Sequence, residues 1–151
     1  MSDELIQQTA TLMREQTLAY RQLKSVCEHL AGALIREAPE AIEPWTRAGE
    51  TELLKMRARL VRIMGALGTF ADARAKSPET CQLSTDTRAA FAAASNEMLQ
   101  AAQDFQRTRE RAAALATNGA AFAAVCIEMC GVTPTTYRAP YSRRGEGRPW
   151  A

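Results

Sequence analysis

Few side chains in this sequence suit metal ligation or nucleophilic chemistry: His29 and the four cysteines Cys27, Cys81, Cys126 and Cys130. A di-iron bundle uses inward-facing Glu-x-x-His pairs, and the residue three before His29 is Val26. His29 therefore reads as a surface residue of a helix. Cys126 and Cys130 stand four apart, on one helical face, which is half of a zinc site. Cys27 is the further thiol that could approach from another helix. With no CxxC pair and no partner histidine, small core thiols are the simpler reading. No GxxxxGK[ST], GxGxxG or GxSxG run occurs to cradle a phosphate or present a nucleophile. Serines without a suitably placed histidine cannot form the usual triad. These patterns predict a non-enzymatic protein with no cofactor and no metal.

Charge narrows the partners. The whole chain carries +2 at neutral pH. Residues 131–151 hold Arg138, Arg143, Arg144 and Arg148 against Glu146, a net of +3, which leaves −1 for the remainder. A body so close to neutral lacks the basic face that nucleic acid requires. The cluster Arg107, Glu110, Arg109 and Arg111 reads as a solvated helix face. No apolar run reaches the ~20 residues of a membrane span, so no stable membrane insertion is expected. The opening MSDELIQQ is acidic and polar, unlike a secretory signal. A cytoplasmic protein with reduced thiols is expected.

The elements that position these groups are helices. Alanine is abundant and aromatic residues make up only 6%, a mix that suits close-packed helices better than a sheet. Over about 3–37, Leu5, Leu12, Ala19, Val26 and Ala33 recur every seven residues. Ile6, Met13, Tyr20, Cys27 and Leu34 form the adjacent column, with Leu23 and Leu30 on the four-residue step. A stripe this wide faces more than one neighbour. Pro39 is expected to end this helix. APEAIEPW reads as a short helical turn broken at Pro44.

A second helix is expected over about 45–75, where Leu53, Met56, Leu60, Ile63, Leu67 and Phe70 step by three and four. Met64 and Ala71 would widen its stripe. Gly65 and Gly68 weaken it by ~1 kcal/mol each, which predicts close approach of a neighbouring helix there. Pro78 breaks the chain again. A third helix is expected over about 84–130, with Ser84, Thr85 and Asp86 as competent N-caps and Gly131 as C-cap. Its seam runs Phe91, Ala94, Met98, Ala101, Phe105, Ala112, Leu115, Phe122, Cys126 and Met129. Thr108 and Gly119 are the weak points, and the register holds in phase beyond Gly119.

The expected fold is all-α: an elongated antiparallel three-helix bundle, or a helical hairpin with a long third helix and a C-terminal tail. Leu23, Leu30, Leu60, Ile63, Leu67, Met98 and Phe105 are its expected core. The domain reading is a helical bundle over 1–130 and an extended basic, aromatic tail over 131–151. That tail holds three prolines with Tyr137, Tyr141 and Trp150.

AIEPWTRAGETELLKMRARLVRIMGAL resembles the central segment of FlgN-type flagellar export chaperones, in which a polar turn leads into a long Leu/Arg/Glu helix. ATNGAAFAAVCIEMCG followed by TTYRAP resembles that family's late third helix and its tyrosine-bearing end. The resemblance spans roughly Leu5 to Tyr137. It implies a cytosolic, substrate-holding chaperone for hook-associated (hook-filament junction) proteins, holding them unassembled until type III export. By position it implies a substrate face at Leu115, Phe122, Val125 and Met129, and export-gate docking through Tyr137. Tyr137 is followed by Arg138-Ala139-Pro140 in place of the family's glycine-containing turn. The other reading of the same helices is a structural or adaptor bundle that self-associates or joins a permanent complex. Recovery of junction proteins, or of self-oligomer alone, separates the two.

Overall fold

The computed structural model describes residues 2–36 and 38–129. Among them the chain is helical, with no strand: α1 (Ser2–Ile35), α2 (Pro39–Lys76), a 3-10 turn (Pro78–Cys81) and α3 (Thr85–Met129). The expected all-α bundle is what forms. The chain divides into two compact units, residues 1–115 and 116–151. The expected tail over 131–151, Cys130 and Gly131 lie outside the described residues.

In the first unit the three helices pack through two clusters. Ala10 and Met13 of α1, Ile63 of α2 and Ala94 of α3 form one, with Leu12, Leu67, Phe91 and Met98 against it. Leu23, Met56 and Phe105 form the other, with Tyr20, Cys27 and Leu53 against it. Met13 meets Ile63 while Leu23 meets Met56, so α1 and α2 run antiparallel; α3 follows the order of α1. Of the expected core, Leu23, Ile63 and Phe105 are buried, whereas Leu30, Leu60, Leu67 and Met98 are half-buried. Tyr20 and Phe105 add a tilted ring contact at 6.0 Å, within the range where aromatic pairs attract.

Three local expectations need correction. Pro44 does not break the chain: α2 begins at Pro39 and runs through Pro44. Pro39 occupies the first turn, where its missing N–H costs nothing. Pro44 and Glu40 are both exposed, so the helical bond lost at the Glu40 carbonyl falls at the surface, where it costs less than in a core. Next, Gly65 and Gly68 are not close-approach sites, since a Cβ at either would meet nothing within 4 Å. The close approach lies at Gly49, buried, where a Cβ would stand 3.3 Å from Val26 Cγ1. Finally, Met64 and Ala71 do not widen the buried stripe; both are exposed.

Of the three competent caps Ser84, Thr85 and Asp86, Ser84 takes the position before α3. Its Oγ accepts from Thr87 N–H at 3.2 Å, satisfying one of the helix's orphan donors. The same helix start is tied to α1. Ser84 N–H donates to Asp3 Oδ1 at 3.1 Å, and Gln7 Nε2 donates to the buried Thr87 Oγ1 at 3.1 Å. At the end of α2, Ser77 N–H donates to Ala73 O at 2.9 Å, and Pro78 then leaves the helix.

Candidate functional site

The candidate substrate residues lie on α3, a single helix through Gly119. Leu115 closes the first unit and is half-buried. In the second unit, Val125 is 52% and Met129 83% exposed. Spaced by four, they share one helical face. Every described alanine from Ala116 to Ala124 is exposed as well. The Phe122 side chain and Tyr137 lie outside the described residues.

The residues that could carry chemistry are dispersed. His29 is exposed, as expected for a surface histidine. Its Nδ1 lies 2.7 Å from the Ser25 carbonyl, which can only accept, so Nδ1–H is the donor in that contact. The ring stacks on Trp45 with centroids 4.0 Å apart. That contact fastens α1 to the start of α2. Cys81 is buried, Cys27 and Cys126 are half-buried, and all three are free thiols. Burial pushes the Cys27 thiol up; the Arg109 guanidinium opposes that rise, and the Glu28 carboxylate adds to it. A raised thiol pKa makes a poorer nucleophile at neutral pH. Among the described residues no three His, Cys, Asp or Glu side chains gather to hold a metal ion. No described helix is long and apolar enough to cross a membrane.

Shallow clefts open on the first unit. One, of about 440 Å³, lies between α1 and α3 and is lined by Arg21, Lys24, Glu28, Glu97, Gln100 and Asp104. Charges of both signs line it, and Ala101 is its one apolar side chain. Another, of about 470 Å³, is lined by Phe70, Arg74, Pro78, Cys81, Leu83 and Arg88. No histidine lines either cleft.

Two polar arrangements escape a reading by apolar period. Gln16 is fully buried between helices. It donates from Nε2 to Met56 O at 3.4 Å and accepts from Arg59 at 3.0 Å. Arg59 also pairs with Glu15 at 3.4 Å. The second arrangement is the Asp3–Gln7–Ser84–Thr87 latch described above. No buried side-chain nitrogen or oxygen is left without a partner among the described residues.

Comparison with protein-family models, curated proteins and solved structures finds no match to this chain.

Proposed function

We propose that this chain is a non-enzymatic, cytosolic, substrate-holding chaperone of the FlgN type. It binds the helix-forming ends of hook-filament junction proteins and keeps them unassembled for flagellar export. The observation that supports this reading is the bare apolar face near the end of α3, where Val125 and Met129 stand largely in water. Phe122 belongs to the same face by its spacing, and Leu115 precedes it by one heptad. Exposing large apolar side chains along a helix is costly in a free protein. The cost is recovered when an amphipathic helix covers them at i, i+3 and i+4. The identity of the partner comes from the resemblance. In this reading Tyr137 serves a separate step, docking on the export apparatus.

The test is titration of the full chain with purified junction-protein termini. Val125→Asp with Met129→Asp should weaken binding by about tenfold or more, equivalent to ~1.4 kcal/mol. Helicity should be unchanged, and Tyr137→Ala should spare substrate binding while weakening attachment to the export apparatus. Wild-type chain that fails to bind the termini overturns the reading. Self-association abolished by the same two aspartates favours the adaptor bundle instead.

A further inference from the structure

Helix α2 carries two apolar stripes, and the bundle covers one of them. The covered stripe is Gly49, Leu53, Met56, Leu60, Ile63 and Leu67, all buried or half-buried. On the opposite side, Leu54, Ala58, Val61, Gly65 and Gly68 also step by four and three, and every one is exposed. Leu54 is 66% and Val61 73% exposed, and Met64 beside them 67%. A solvated helix face normally carries polar residues. This one holds large aliphatic side chains, then two glycines around which a Cβ would find open space. The glycines lower helix stability, and nothing in the described residues packs against them in return.

The borders of the stripe are basic. Lys55 and Arg62 flank one side and Arg57 the other. Lys55 pairs loosely with Glu52 at 3.9 Å, while Arg57 and Arg62 make no ion pair among the described residues. Glu50, one heptad before Arg57 on the same flank, and Asp72 are the acidic residues near the stripe, and they stand at its two ends. In heptad terms the flanks are the positions that choose a partner by charge. A second copy of the chain is a poor fit. Parallel pairing of the stripe with itself places Arg57 opposite Arg62 at its centre, against one Glu50–Lys55 match at its end, and antiparallel pairing about Val61 places Arg62 opposite Arg62.

We propose that the outward face of α2, centred on Leu54, Val61 and Met64, docks an amphipathic helix of a partner protein with an aliphatic seam and acidic flanks. The glycine end lets the incoming backbone approach closely, and Arg57 and Arg62 meet the partner's carboxylates. This surface lies wholly in the first unit and does not rest on the reading of α3.

The experiment titrates the full chain with two synthetic helical peptides sharing a leucine seam, one flanked by glutamate and one by lysine. The glutamate peptide should bind saturably and lose affinity as salt rises, because its charges sit at exposed flanks. The lysine peptide should bind about tenfold or more weakly. Val61→Glu with Met64→Glu should abolish glutamate-peptide binding while leaving helicity and the melting temperature of the free chain in place. Val125→Asp with Met129→Asp should leave it intact. Equal binding of both peptides, binding that survives the Val61/Met64 substitutions, or dimerisation of the free chain through this face would each overturn the proposal.

Discussion

Gln16 is the sharpest probe of how the first unit holds together, because it is a fully buried amide in the column that continues as Leu23 and Leu30. Its two hydrogen bonds differ in what they leave behind when cut. Met56 O lies inside α2 and keeps its helical partner, so losing the Gln16 amide costs it a second bond only. Arg59 loses a charge-assisted acceptor but keeps Glu15 and some contact with water. Gln16→Leu therefore preserves volume, adds apolar burial and forfeits bonds worth ~0.5–1.5 kcal/mol each net. The expected loss is at most about 1.5 kcal/mol, since the apolar gain offsets part of it. Gln16→Ala additionally removes the Cγ methylene, at ~0.8 kcal/mol, together with the space the carboxamide fills, and opens a cavity. Its expected cost is about 2–4 kcal/mol. Urea unfolding at neutral pH measures both, and a chain of this size loses about 2–4 °C of melting temperature per kcal/mol. Repeating Gln16→Leu in an Arg59→Ala background should recover ~1 kcal/mol as coupling between the pair. Equal costs for the leucine and alanine variants, or an alanine variant within ~0.5 kcal/mol of wild type, would refute the packing argument.

Further outcomes follow from the same packing. Ile63→Ala should cost about 2–5 kcal/mol by thermal or urea unfolding, and Leu60→Ala clearly less, because Ile63 is buried and Leu60 half-buried. Gly65→Ala and Gly68→Ala should each stabilise the chain by up to ~1 kcal/mol, since an added Cβ meets nothing; a lowered melting temperature would mean a neighbour does pack there. The Cys27 thiol is raised from its ordinary value of 9.0. Its contribution to stability is therefore complete below pH 9.0 and fades as pH climbs through the raised value. Melts at rising pH should show a larger alkaline loss for wild type than for Cys27→Ala, and parallel losses would remove the burial argument.

The bundle was legible in the sequence because the seven-residue columns named its elements, to within two residues except at the start of α2, which lies six residues before the expected one. Their interiors were less legible, for reasons that differ by residue. Stepping back by sevens from Leu30 and Leu23 leads to Gln16 and Thr9, both fully buried. The column continued, but polar occupants hid it from a reading that counts only apolar residues. Pro44 misled in the opposite way. Proline disfavours helix strongly in an interior, yet here the residue whose carbonyl it deprives, Glu40, is exposed near a helix start, where the loss costs least. Gly49 and the pair Gly65/Gly68 are alike in a sequence; only the position of Val26 beside Gly49 makes that one a contact.

The candidate binding faces were half legible for a deeper reason. Hydrophobic period identifies stripes, not which of them the rest of the chain will cover. On α2 the choice follows volume. Leu53, Met56, Leu60, Ile63 and Leu67 offer a continuous wall of large side chains, and folding gains most by burying that wall. The leaner stripe of Leu54, Ala58, Val61, Gly65 and Gly68 remains outside. In the third helix the same period runs on to Met129 although it is exposed, so the period alone could not separate core from surface. A buried stripe and a bare one obey one rule, and the difference between them is whether this chain or another supplies the partner. Burial can therefore distinguish what periodicity cannot, and the substitutions at Val61 and Met64 ask that question of the molecule directly: a charge placed on a covered face unfolds the helix pair, whereas a charge on a docking face leaves the fold standing and removes only the guest.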